Sequence, residues 1–396
     1  MHRLIGLLGI VPAMVAMYAT TSPAADIATA VRVIRAVENE GRGNKEAAVA
    51  WRELAKCQAN DLPEILAACD GANPLAANYL RSAVETIAQR TLDAGGALPA
   101  ADIEKFVFDT NHEPKARRLA FELLTKVDPR APDRIIPRMI NDPSVELRRD
   151  AVARLLETAT KLLADDKVEQ AGKDEARQVL TQALDGARDD DQVQAIKKQL
   201  EGIGQKVDLP SHFGFLLTWR FVAPFDNTDK KGLAIPYPPE KQLDVAAQYD
   251  GKEGQKIGWV EHTTNDDYGV VDLAKALGPF KGAVAYATTE FQSEKALPVE
   301  FRLGTPNSWK VWLNGDLIFA REEYHRGMNI DQYRMKGNLK AGKNVILVKI
   351  CQNEQTEDWA QRWQFQFRVC DAVGTAVLSV DRAAKPVKPA ASSGGA

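Results

Sequence analysis

At 396 residues the chain exceeds one ordinary hydrophobic core and predicts two domains. With 45% hydrophobic and 27% charged residues it has the composition of a globular protein. A net charge of −3 argues against nucleic acid as the main partner, because phosphate binding needs a concentrated positive surface.

The chain starts with a short positive segment, Met1-His2-Arg3, followed by an almost unbroken apolar run from Leu4 to Met17. Small residues Ser22 and Ala24 then flank Pro23, which predicts a signal peptide over 1–24 with cleavage after Ala24. The apolar run is shorter than the roughly 20 residues a spanning helix needs. Charged residues interrupt every later apolar stretch, so no membrane span is expected after cleavage. The expected location is outside the cytoplasm, periplasmic or secreted.

Residues 25–206 read as helical. Apolar residues recur at three and four positions, as in Ile27, Val31, Ile34 and Val37, or Ile135, Met139 and Ile140. Breaks fall at Gly41-Arg42-Gly43, Gly71-Ala72-Asn73-Pro74, Gly95-Gly96 and Asp128-Pro129, giving some eight to ten helices. Cys57 and Cys69 bracket the Asn60-Asp61-Leu62-Pro63 turn, where a disulfide would join two short helices in an oxidising compartment. None of the four cysteines has the CxxC spacing of a zinc or redox motif.

Glu113-Pro114 and Asp142-Pro143 open two helices that echo each other. Arg117, Ala120 and Leu124 align with Arg148, Ala151 and Leu155. Proline suits a first helical turn, where its missing N–H costs nothing. The alanine permits close packing, and the leucine enters the shared core. This pattern resembles the second helix of HEAT repeats, clearly over about 110–160 and more loosely elsewhere. A stacked array of that kind offers an extended surface, so a protein partner is expected at the helical domain. The charged stretch Asp165–Gln205 keeps helical spacing and reads as exposed helices at the end of the stack.

At about Val207 the periodicity changes, and 207–382 predicts an antiparallel β-sandwich. Strand-like segments are Phe213–Phe225, Val284–Phe291, Val299–Leu303, Trp309–Leu313, Val345–Ile350 and Trp363–Val369. Asn314-Gly315 between Trp309–Leu313 and Leu317–Phe319 signals a hairpin. A bridge between Cys351 and Cys370 would require their strands to lie in different sheets. Residues 383–396, rich in Lys, Pro, Ala, Ser and Gly, read as a disordered tail.

The opening strand Trp219–Phe225, the hairpin at Trp312-Leu313-Asn314-Gly315 and the turn and strand Gly342–Lys349 resemble the galactose-binding-like jelly roll. That likeness covers about 210–380 and implies a sandwich of the kind found in carbohydrate-binding modules. It also implies a possible structural calcium, for which Asp226, Asn227, Asp266 and Asp267 supply oxygens, although these are ordinary turn formers too. The fold class expected is therefore α plus β multidomain, a HEAT-like helical domain followed by a jelly-roll sandwich.

The sequence contains no HExxH, G-x-S-x-G, P-loop or dinucleotide-binding glycine motif. Its densest polar stretch, Arg321 to Tyr333, predicts a long loop at the sandwich rim. There Tyr324 and Tyr333 would stack on a sugar while Glu323, His325 and Asp331 bond its hydroxyls. Trp359 is the expected exposed platform, whereas Trp363 starts an alternating strand and reads as core. The function expected from sequence is non-catalytic glycan or cell-surface binding through the sandwich. The alternatives are an assembly protein with protein partners only, and a carbohydrate-active hydrolase or lyase.

Overall fold

The computed structural model describes residues 23–164 and 169–383. The expected signal segment up to Ser22, and the tail beyond Ala383, lie outside the described residues. Helices extend to residue 213 and antiparallel strands occupy 218–370. By packing the described residues divide into two compact units, which meet in sequence between Ala151 and Val152. The change of periodicity near 206 is therefore not the packing boundary, because the later helices belong to the unit that carries the sheets.

The first unit contains α1 (Pro23–Arg35), α2 (Asn44–Leu54), α3 (Leu62–Ala67), α4 (Pro74–Asp93), α5 (Ala100–Phe108), α6 (Pro114–Val127), α7 (Ala131–Ile135) and the start of α8 (Val145–Leu162). Capping sets the starts. Asn73 Oδ1 accepts from Ala76 N at 2.9 Å, with Pro74 as the first residue of α4. The core is a continuous apolar layer of residues such as Leu66, Leu80, Ile87, Val107, Leu124 and Ile135. The two echoing helices differ at their heads: Pro114 begins α6, but α8 begins two residues after Pro143. Ala120 and Ala151 are both buried, as close packing of neighbouring helices requires.

Both repeated arginines are buried too, and they converge on Asp142. Arg117 sends Nη1 and Nη2 to its carboxylate at 2.8 and 2.7 Å, and Nε to Val107 O at 2.8 Å. Arg148 Nε bonds the Asp142 carbonyl at 2.8 Å. A buried guanidinium persists only when its donors are satisfied in this way.

The second unit adds α9 (Gln170–Gly186), α10 (Asp190–Gly202) and α11 (Leu209–Phe213). Tyr268 Oη donates to Asp190 Oδ1 at 2.5 Å, tying the head of α10 to the loop around Tyr268. The strand expected from Phe213 starts instead at Thr218, because Phe213 closes α11, whose head is capped by Asp208 Oδ1 accepting from Ser211 N at 3.0 Å. Gly214 ends that turn with φ 81°, and a Cβ there would lie 2.5 Å from Val369 O.

The strands are β1 (Thr218–Asp226), β2 (Gln248–Asp250), β3 (Lys256–Gly258), β4 (Val260–Thr263), β5 (Val271–Asp272), β6 (Ala283–Ser293), β7 (Leu297–Gly304), β8 (Ser308–Leu313), β9 (Asp316–Arg321), β10 (Tyr333–Leu339), β11 (Gly342–Gln352) and β12 (Gln364–Cys370). They form a six-stranded sheet, β4-β1-β6-β11-β8-β9, and a four-stranded sheet, β10-β7-β12-β5, with β2 and β3 paired separately. Phe221, Trp309, Val348 and Ile350 of the larger sheet meet Phe301, Phe365 and Phe367 of the smaller in one core. The β8–β9 hairpin turns through Asn314 (φ 54°) and Gly315 (φ 93°), the two positive φ values that a tight hairpin needs.

Alternation along β11 sends Ile346, Val348 and Ile350 inward and Leu347, Lys349 and Cys351 outward. The outward face is nevertheless buried. Leu233, Tyr237, Leu243, Tyr249, Ile257 and Trp259, from the excursion between β1 and β4, pack over it. Lys349 lies wholly under this cover, bonding Glu240 Oε1 at 2.7 Å and the carbonyls of Leu233 and Ile235 at 3.1 and 2.7 Å.

Candidate functional site

Three loops meet at one end of the sandwich: the one after β1, the one between β9 and β10, and the one after β11. Asn227, fully buried, joins them. Its Nδ2 donates to Gln352 O at 2.9 Å and Tyr324 Oη at 3.2 Å, and its Oδ1 accepts from Gly232 N at 2.9 Å. His325 Nε2 bonds Asn353 Oδ1 at 2.9 Å, and Asp229 N donates to Glu354 Oε1 at 2.5 Å. Asp229, Lys230 and His325 all have positive φ, at 56°, 61° and 58°. Non-glycine residues hold that conformation only where their surroundings impose it.

Trp359 stands on this rim in a short 3-10 turn, Asp358–Ala360, and is 60% exposed. The His325 ring meets its indole edge-on, with centroids 4.8 Å apart. Beside them, Tyr324 is half-buried, and burial pushes its phenol up to about 12. Lys230 Nζ sits 5.5 Å from the Tyr324 ring centre. Glu357 and Asp358 are exposed immediately before the indole. Tyr324, His325 and Trp359 thus lie together on this rim.

The other three expected rim residues are engaged within the fold. Tyr333 is the first residue of β10 rather than a loop residue, packs on Trp309 and donates to Glu323 Oε2 at 2.8 Å. Glu323 also accepts from Arg321 Nε and Nη2 at 2.9 and 2.8 Å, and these bonds, foremost among its contacts, hold its carboxyl below the usual range. Asp331 is clamped between Arg302 and Arg368 across β7 and β12. Burial alone would raise its carboxyl, but the two guanidiniums outweigh it and lower it.

The calcium set is not assembled. Thr218 pairs with Thr263, so β1 places Asp226 and Asn227 at one end and the Asp266-Asp267 loop beyond the other. Asp226 Oδ1 caps Thr228, and Asp266 Oδ1 accepts from Tyr268 N at 2.8 Å and Val270 N at 3.1 Å, so both serve turns. Among the described residues no group of three His, Cys, Asp or Glu side chains is placed to hold a metal ion.

The expected Cys57–Cys69 bridge is not formed. Cys69 is buried at the end of α3, where burial, then Asp70 and Glu113, push its thiol up to about 11 and away from the reactive thiolate. Cys351 and Cys370 do lie in different sheets, yet they do not pair. Cys351 faces the outer cover, while Cys370 Sγ points to Glu300 O at 3.8 Å. Within the first unit, a groove of about 640 Å³ has a small apolar floor with Ala77, Ala116 and Leu119, and charged walls with Arg81, Glu122 and Glu146.

What sequence reasoning missed was the loop at 227–230 as a third wall of the rim. Asn227 and Asp226 attract notice as oxygen donors, but nothing local says that the Asn227 amide faces inward.

No protein-family model and no curated protein matches this sequence. Among solved structures, the chain is similar to a beta-glucuronidase of Faecalibacterium prausnitzii, with 19% identity over 35% of this chain and 20% of that one, at TM-score 0.18. It is also similar to a GH31 alpha-xylosidase of Xanthomonas citri, with 14% identity over 41% of this chain and 17% of that one, at TM-score 0.20. A beta-glucosidase of Kluyveromyces marxianus shows 10% identity over 76% of this chain and 36% of that one, at TM-score 0.25. The chain spans at most about a third of the length of these proteins, and at such scores no residue role carries across. The expectation of a non-catalytic glycan or cell-surface binder finds no support among these neighbours, whose names are those of glycosidases.

Proposed function

We propose that the chain acts on carbohydrate, with the rim around Trp359 as its sugar-facing surface. The observation that carries this reading is the exposed indole of Trp359, held edge-on by His325 among three interlocked loops. An exposed indole offers a flat apolar face to the C–H side of a sugar ring. In this reading the exposed carboxylates Glu357 and Asp358 are the acid and base candidates, because Glu323 and Asp331 are spent on internal bonds. The sandwich is proposed to be galactose-binding-like, the helical part HEAT-like, and the protein exported. The test is release of reducing ends from a panel of polysaccharides and aryl glycosides by the chain from Ala25 to Arg382, compared with Trp359→Ala and Glu357→Gln.

A second reading is assembly through a protein partner at the helical unit. It is favoured by the charged groove between α4, α6 and α8, whose walls carry both signs. A folded protein that processes no sugar, yet loses a partner when Arg81→Glu is introduced, would support it.

A further inference from the structure

We infer that Asn227 is the positioning residue of the rim, setting the geometry on which Trp359 and His325 depend; this rests on the carbohydrate reading above. One amide satisfies three loops at once. Its oxygen accepts from Gly232 N at 2.9 Å within the loop after β1. Its nitrogen donates to Gln352 O at 2.9 Å at the end of β11, and to Tyr324 Oη at 3.2 Å in the loop after β9. The backbone continues the link: Asn227 N donates to Gly282 O, and Gly282 N donates to Asn353 O, both at 2.8 Å. Asn353 in turn holds His325, which meets Trp359.

The position requires an amide. Aspartate has the same shape, but its carboxylate cannot donate to Gln352 O, and its charge would be buried at a site with no exposure. The approach is also close: a Cβ on Gly232 would lie 2.7 Å from Asn227 Oδ1 and 2.5 Å from Asp226 O, so only glycine brings this backbone against the amide. Asn227 itself touches none of the rim's outward surface. It acts through Tyr324 and through the strand end that carries Asn353.

The experiment compares wild type, Asn227→Asp, Asn227→Ala and Tyr324→Phe by hydrogen–deuterium exchange, and by iodide quenching of Trp359 taken as the difference from each protein's Trp359→Phe derivative. For Asn227→Asp we expect exchange about ten-fold faster or more in 227–233, 321–328 and 353–359, with β6 and β12 unchanged, as local opening predicts. Trp359 quenching should rise as His325 loosens. Tyr324→Phe, which removes the phenol's bonds to Asn227 and Ser308 and leaves the Asn227 amide in place, should loosen 321–328 and not 227–233, and keeps the inference testable if both Asn227 variants fail to fold. Unchanged exchange in these loops, or loosening spread evenly over the sandwich, would overturn the positioning role. Neither readout needs a ligand. If the loops loosen but no sugar is processed by wild type, the carbohydrate reading fails while the positioning role stands.

Discussion

Arg368 meets Asp331 through two parallel bonds, Nε to Oδ1 and Nη2 to Oδ2, each 2.6 Å long. The same guanidinium bonds Phe213 O at 2.9 Å and Gly374 O at 3.3 Å, so one side chain joins α11, β12 and the turn after it. Asp331 also takes Arg302 Nη1 at 2.5 Å. A residue that looks like a sugar ligand in sequence is therefore a clamp in the structure.

Asp331→Asn should accordingly cost about 3–5 kcal/mol, since it leaves a buried guanidinium without its counter-charge. Urea denaturation of the variant measures it. The pH dependence follows from the lowered carboxyl. Stability from the clamp is present above the unfolded carboxylate range of about 4 and is lost as pH falls through the lower folded value. Wild type should lose this increment in acid, and the variant should not.

The first unit makes a parallel case with an internal control. Arg117→Met should destabilise it by about 3–5 kcal/mol, because the buried Asp142 carboxylate then loses its two-bond guanidinium partner. Arg118→Met removes partly exposed pairs to Glu122 and Asp150 and should cost under about 1 kcal/mol. Thermal unfolding of the two variants checks the difference. Equal losses would mean that burial does not decide the strength of these pairs.

His212 predicts a second acid-sensitive step. Burial, then the nearby Arg188 and Arg368, push its imidazole down to about 4, and its Nε2 is buried without a partner. The unfolded chain binds a proton near pH 6.5 and the folded one does not until about pH 4. Stability should therefore fall by about 3 kcal/mol as pH drops across that window. His212→Gln should flatten the pH profile of unfolding between these limits while leaving it unchanged at pH 8.

Periodicity made the succession of helices and strands legible, because three-and-four spacing and alternation both record which face is buried. The Arg117 and Arg148 echo was visible as well, although its reason, convergence on Asp142, was not. β10 stayed hidden because Tyr-Arg-Met-Lys-Gly-Asn-Leu alternates weakly and buries only Met335 and Leu339. The packing boundary was also illegible: α9 and α10 have ordinary helical spacing whichever unit they join. At the rim, residue type alone could not separate Glu323 and Asp331, held by arginines, from Trp359, left exposed. That distinction depends on Arg302, Arg321 and Arg368 arriving from separate strands.

The carbohydrate reading stands most directly on Trp359. Its replacement by alanine removes an exposed ring and should leave unfolding within about 0.5 kcal/mol of wild type. The decisive measurement is reducing-end release from a polysaccharide and aryl-glycoside panel by folded wild type and Trp359→Ala. Turnover of at least one substrate by wild type, lost in the variant at unchanged stability, is the result this account predicts. A folded wild type that processes none of the panel, or a variant as active as wild type, would contradict it.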